Sequence, residues 1–414
     1  MNKANLEDLA LFGAPPAFNQ PLYVGRPNIP DRQALLRRIE DLLDRRWLSN
    51  NGPYVKEFEH RLAGLLGVRH CVAVCNATLG LELTTRALGW QGEVILPSFT
   101  FIATAHAMRW QGLTPVFCDV DPATHNLDPR AVERAITDRT AGIVGVHVWG
   151  RPCDVDGLQD IANRAGVGLV FDAAHALGCT SRGRGLGRFG QAEVFSFHAT
   201  KFVNAFEGGV IATDSGELAG TLESMRNFGL DQHEYASRLG TNAKMSEISA
   251  AMGLGSLETM DAWTAVNRRN YGLYQTLCGG LPGLDLVAYD EAERNNYQFV
   301  VYEIDESRSG LSRDLLRDVL RAENIIARPY FYPGCHRMEP YARERSGSPL
   351  VLPETDRLSA RVLALPTGTA VGEEDIRGIA RLLDLCWRHA GELSAMHRQH
   401  STAVRMTTAP APTG

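Results

Sequence analysis

The sequence predicts an α/β protein: a mostly parallel central sheet covered by helices on both faces, with a smaller C-terminal α+β domain. Three observations carry this. Between His70 and Thr213, short and almost wholly apolar runs alternate with helix-like stretches, the pattern of strands buried on both faces. Asn50-Asn51-Gly52-Pro53 and Asn76-Ala77-Thr78 supply turns between elements. Beyond about Asp261 the alternation gives way to an aromatic and β-branched strand followed by an amphipathic helix.

Residues 1–30 carry prolines at 15, 16, 21, 27 and 30 and read as an arm lying over the surface or on a partner subunit. Asp31 caps a helix through about Trp47, with Leu35, Leu36, Ile39, Leu42 and Leu43 at helical spacing. A second helix, from Pro53 to Leu66, ends at Gly67. Strands are expected over 70–75, 93–97, 116–120, 142–148, 168–172, 193–197 and 209–213. Helices are expected over 79–88, 101–110 and 127–135, and after a cap at Asp154 or Asp156. Met245 to Met260 is a further helix. In the smaller domain, strands are expected over 297–304 and 325–330, and helices over 311–322 and 373–387. The expected division is an arm (1–30), a large domain (31–260), a small domain (261–395) and a tail without regular structure (396–414).

With 414 residues, 44% of them hydrophobic, the chain can bury a large core. A net charge of −6 argues against a nucleic-acid surface. The eight cysteines form no CxxC pair, and Cys71, Cys75 and Cys118 lie in strand-like runs, as expected of a reduced, cytoplasmic protein. No apolar run approaches the length of a membrane span, and the N-terminus has no signal-peptide pattern.

In parallel α/β sheets, ligands bind beyond the carboxyl ends of the strands. Asn76, Asp172 and Ser196 all fall at or just past such ends. Lys201, among small and apolar residues, is placed to titrate low and attack a carbonyl. A lysine on a loop beside the core is the competing reading. Asp172, closing the apolar run Val167 to Phe171, shifts the balance. An acid that keeps a pyridine nitrogen protonated, plus an amine that bonds an aldehyde, is the minimum equipment for pyridoxal phosphate chemistry. Ala77 and Thr78 at a helix start, with the Ser196 hydroxyl, suit a phosphate; Thr78 as a plain N-cap is the alternative. Phe101 is placed to stack on the ring, and His175 to reach the cofactor's phenolic oxygen or cover its other face. His147, His175, His198 and Asp172 lack compact zinc spacing, so no metal is expected.

Several stretches together resemble the DegT/DnrJ/EryC1/StrS family of sugar aminotransferases, which has the fold-type I pyridoxal phosphate architecture of aspartate aminotransferase. They are 47–53, Leu96-Pro97-Ser98-Phe99-Thr100-Phe101-Ile102-Ala103-Thr104, 171–178, the lysine stretch 196–209, and Gly240-Thr241-Asn242-Ala243-Lys244-Met245-Ser246-Glu247 with 250–253. The resemblance spans roughly residues 18–390. It implies that Lys201 anchors the cofactor, Asp172 pairs with its ring nitrogen and Ser196 binds phosphate. It also implies that Phe101 stacks on the ring and that Asn242 crosses to the phosphate of a neighbouring subunit, giving a homodimer with shared sites. Three positions depart from the family's usual residues: Ala77 in the phosphate turn, Phe101 in place of a tryptophan, and His175 in place of a glutamine. Because an alanine resists positive φ, the turn at Ala77 must use an ordinary backbone conformation.

Dehydratase members carry histidine where Lys201 stands, so transamination is implied. The wording around Lys201 resembles members that aminate the 4-position of a thymidine-diphospho-4-keto-6-deoxyhexose with glutamate as amino donor. A 3-keto sugar nucleotide or a ketocyclitol is the alternative substrate, and a regulatory relative that keeps the cofactor without catalysis is the non-enzymatic alternative. Arg328, Tyr330, Tyr332 and His336, after a small-domain strand, are expected either to line the sugar-nucleotide cleft or to form a surface loop.

Overall fold

The structure, a computed structural model, describes residues 3–344 and 350–408. Its centre is a seven-stranded sheet. In spatial order the strands are His70–Val74, Gly209–Thr213, Ala192–Ser196, Gly168–Asp172, Thr140–Val146, Glu93–Pro97 and Thr114–Cys118. Only Gly209–Thr213 runs antiparallel to its neighbours. The apolar runs are continuous because the sheet is buried on both sides. Cys71 and Ala73 point into one core with Phe58 and Leu62 of the helix Pro53–Leu66. Val72 and Val74 point into the other, with Leu81 of Ala77–Ala87 and Met108 of Ile102–Trp110. A strand's period of two thus feeds two hydrophobic layers.

A second body of apolar packing surrounds a three-stranded antiparallel sheet, Leu284–Leu286, Val300–Ile304 and Val362–Leu365, with the helices Arg313–Ala322 and Glu373–Arg388. The helix expected to stop at Met260 runs Glu247–Cys278, 32 residues and about 48 Å at the usual rise. Nothing in its sequence breaks it. Ala250 and Leu254 pack in the first core, whereas Tyr271, Tyr274 and Cys278 pack in the second. The helix therefore carries the chain across the boundary expected at 260.

The arm is anchored to its own chain's smaller domain. Leu6 and Leu9 sit in the second core. The buried Glu323 carboxylate accepts from the backbone N–H of Ala10 (2.7 Å) and Ala17 (2.6 Å), with Lys3 Nζ 3.4 Å away. Leu22–Tyr23 then pairs in parallel with Ile325–Ile326, all that remains of the strand expected over 325–330. A buried carboxylate needs such donors, and the arm supplies them. The stretch read as a tail continues the helix Ala390–Thr408, whose Leu393 is buried in the second core; residues 409–414 lie outside the described residues. No helix among the described residues is long and apolar enough to cross a membrane.

Candidate active site

A cavity of about 420 Å³ opens at the carboxyl ends of the parallel strands. The sheet delivers Asp172 and Ser196, each the last residue of its strand. The turn after His70–Val74 delivers Asn76, Ala77 and Thr78. Asn76 is extended (φ −164°) and its Oδ1 accepts from Leu79 N (2.9 Å), so Asn76 is the helix cap. That leaves the amides of Ala77 and Thr78 without an intrahelical partner, on the cavity wall. Neither Ala77 nor Thr78 has positive φ, as the alanine requires. Gly209 makes the close approach possible: a Cβ there would lie 2.5 Å from Asn76 C and 2.6 Å from Ala77 N. Phe101 caps the helix Ile102–Trp110 and leaves its ring 59% exposed on the cavity.

Asp172 is held on both oxygens. Thr104 Oγ1 donates to Oδ2 (2.8 Å) and Ala174 N donates to Oδ1 (3.0 Å). The Thr104 hydroxyl is itself paired with that of Thr100 at 3.0 Å. Burial pushes the Asp172 carboxyl up from its ordinary value, while these donors and Lys201 pull it back. Lys201 follows Ser196 in an irregular loop, its N–H bonded to His198 O (2.8 Å). Burial lowers its ammonium from 10.5 to about 8, against the attraction of Asp172. The pair are within electrostatic reach, and each perturbs the other in the direction its charge demands.

His175 packs against the other side. Burial drives its pKa well below the ordinary value, with Lys201 adding to the effect, so the ring is neutral. Its Nδ1 accepts from Trp149 N (3.3 Å), which assigns the proton to Nε2. Trp149 adopts φ 64°, a left-handed conformation that costs a bulky residue free energy. The rings of Trp149, His175 and Phe331 lie within 15° of parallel, the closest pair 5.3 Å apart.

Lys201, Asp172, Ser196, Ala77, Thr78, Phe101, His175, Arg328 and Tyr330 therefore share one cavity. Tyr332 and His336 do not. After Tyr330 the chain turns away, and Cys335 N bonds Ser98 O (2.9 Å). His336 Nδ1 lies 2.6 Å from Ser98 Oγ, buried, and Tyr332 lies under the Arg313 guanidinium, 5.1 Å from ring centre. Their nearness in sequence to Arg328 did not carry them to the site. Asn242 is exposed away from the cavity, with its backbone paired to Asn227. Sequence reasoning missed Thr104, Trp149, Gln298 and Phe299, which meet the site only through tertiary packing. Among the described residues no three His, Cys, Asp or Glu side chains gather as a metal site.

A mostly parallel α/β sheet with a buried lysine and a buried, doubly bonded aspartate at its carboxyl edge has the form of an aminotransferase site. The chain belongs to the DegT/DnrJ/EryC1/StrS aminotransferase family, whose model matches residues 31–384. It is 34% identical over 365 residues to dTDP-4-amino-4,6-dideoxy-D-glucose transaminase of Escherichia coli, covering 87% of this chain and 97% of that protein. The protein of the same name from Shigella dysenteriae is 36% identical over 357 residues, covering 84% and 97%. DesI, solved in the presence of its TDP-sugar product, superposes with a TM-score of 0.91 at 55% identity, covering 95% of this chain and 100% of that one.

Proposed function

We propose that the protein is a pyridoxal-phosphate-dependent aminotransferase that moves an amino group from glutamate to the 4-position of a dTDP-4-keto-6-deoxyhexose. The single observation that carries the reading is the pairing of Lys201 and Asp172 in one cavity at the strand ends. The donor set fits the cofactor. Lys201 Nζ is the amine for its aldehyde, Asp172 the anion for its ring nitrogen, and Phe101 and His175 its two faces. The amides of Ala77 and Thr78, with the Ser196 hydroxyl, suit the phosphate, and the Gly209 approach leaves room for this cradle. When bound, the cofactor accepts the amino group and draws electrons from the substrate carbon. Lys201 Nζ would take the proton from the amino donor's α-carbon in one half-reaction and supply one to the acceptor's carbon in the other, and a pKa of about 8 suits both directions. Asp172 holds the opposing negative charge throughout, and Thr104 and Ala174 keep it aimed.

The substrate reading draws on the relatives: two carry a dTDP-linked 4-amino sugar in their names, and a third was solved with a TDP-sugar. All eight cysteines are free, which suits a cytoplasmic setting. Purified protein, loaded with cofactor, should convert dTDP-4-keto-6-deoxyglucose and glutamate into the 4-amino sugar nucleotide, detected by mass. Turnover confined to a 3-keto sugar nucleotide or a ketocyclitol contradicts the substrate. A coloured but inert protein contradicts catalysis.

The working unit is a homodimer with shared sites, Asn242 of the partner subunit completing the phosphate cup. Asn242 is exposed, as is Leu239 beside it and Phe228 across the same hairpin, at 71% and 51%. A mixed dimer of Lys201→Ala and Asn242→Ala places both lesions in one site and leaves the other intact. It should regain up to about half of wild-type activity when each parent is inactive. A mixed dimer as inactive as the Lys201→Ala parent removes Asn242 from the partner's site.

A further inference from the structure

The geometry points to Gln298 as the residue that reads a ring hydroxyl of the keto sugar. This rests on the sugar-nucleotide reading and extends it to a specificity-determining side chain. Gln298 is only 9% exposed and lines the cavity. Among the described residues nothing hydrogen-bonds its side-chain amide, and neither amide atom is sealed from the cavity. An amide that is open to the cavity and unclaimed by the protein loses its access to water when a ligand fills the cavity, so the ligand that binds must bring a matching partner.

The position is also rigid. Gln298 N donates to Asn296 Oδ1 (3.0 Å). The Asn296 amide donates in turn to His175 O (2.8 Å) and Leu177 O (3.2 Å), stapling this segment to the turn that carries the His175 ring. Asn267 fixes Asn296 O (3.1 Å), and the Tyr289 hydroxyl fixes Phe299 O (3.0 Å). Tyr297, between the two, is held at φ 49°. Phe299 lies on His175 at 4.6 Å between ring centres. The Gln298 backbone is therefore placed by the same contacts that place His175.

The chemistry selects the ligand group. A primary amide offers both donor and acceptor, as a hydroxyl does. Carboxylates and keto oxygens only accept, and a diphosphate is better matched by a guanidinium such as Arg328 on the same cavity. Thymine offers the same reciprocity, but deoxyribose and diphosphate separate it from the reacting carbon, whereas a ring hydroxyl adjoins that carbon and is the reciprocal partner in the cavity that holds both Lys201 and Gln298.

The test separates the two half-reactions of the loaded enzyme, one with glutamate and one with the keto sugar nucleotide. Gln298→Leu should slow the sugar half-reaction about 10- to 100-fold in kcat/KM and leave the glutamate half-reaction within about twofold. Binding of the amino-sugar product, measured by calorimetry, should weaken to match. The sugar-free Tm should hold or rise, because no native partner is lost. A deoxy analogue missing the contacted hydroxyl should be rejected by the wild type and no longer distinguished by Gln298→Leu. Equal slowing of both half-reactions, or a Tm fall of several degrees, overturns the assignment in favour of a structural role. If the wild type aminates nucleotide sugars and Gln298→Leu equals it, this assignment alone fails. If the wild type aminates none, the underlying reading fails first.

Discussion

The two walls of the cavity are built on opposite rules. On the wall supplied by the parallel sheet, the groups around Asp172 and His175 are already engaged, Asp172 by Thr104 and Ala174, Thr104 by Thr100 and His175 by Trp149, while the amides of Ala77 and Thr78 stay open. On the wall supplied by residues 298–331, the Gln298 amide, the Arg328 guanidinium and the Tyr330 hydroxyl have no hydrogen-bond or ion-pair partner among the described residues. The first wall fixes the Asp172 carboxylate before any ligand arrives, which is how a site preorganises chemistry. The second leaves its polar groups for whatever enters, which is how a site selects. Substitutions on the first wall should alter the reaction itself, and those on the second should alter which substrate is taken.

The largest expected effect tests the first wall outright. Lys201→Ala removes the proposed anchor and proton carrier together, and should lower transamination by at least about 10⁴-fold with the fold of the apoprotein intact. Appreciable residual turnover would move the chemistry to another amine. Asp172→Asn comes next, on the order of 10³-fold, with the fold intact; a near-normal rate would show that the ring nitrogen is held elsewhere. The third effect follows pH. The neutral amine is the form that bonds an aldehyde, and it is present above the Lys201 pKa of about 8. Uptake of pyridoxal phosphate by the apoprotein should therefore rise about 50-fold from pH 6 to 8 and level off above 9. A rise continuing past pH 10 would mean that the lysine is not desolvated. The smallest is a sharpening. Thr104→Val deprives Asp172 Oδ2 of its donor and should cost about tenfold, while Thr104→Ser keeps most of the rate. Equal losses in both variants would assign Thr104 to packing.

The two walls also differ in how much of them the sequence revealed. The sheet wall was legible because strand ends announce themselves: an apolar run that stops at Asp172 or Ser196 places that residue on the rim whatever the rest of the fold does. The opposite wall was not. Gln298 sits in an unremarkable stretch, and its role depends on Asn296 reaching 121 residues back to His175. Tyr332 and His336 were drawn in by proximity to Arg328, but a turn after Tyr330 buries His336 against Ser98 instead. Trp149 fell outside any motif because its left-handed backbone is a property of the packed state. The arm read as a cover on the surface or on a partner subunit, and its anchoring was hidden because Glu323, which receives its amides, lies more than 300 residues away and Leu6 and Leu9 stand outside any periodic run. The helix break expected at 260 came from Asp261, whose polarity marks the exposed face of a helix that continues to Cys278.

In the proposed function, one lysine at the carboxyl edge of the sheet carries the chemistry. Borohydride reduction of the cofactor-loaded protein, followed by peptide mapping, tests it directly. A single reduced adduct on Lys201 is expected, absent after prior incubation with glutamate. An adduct on another lysine such as Lys244, or none on a coloured protein, would contradict it.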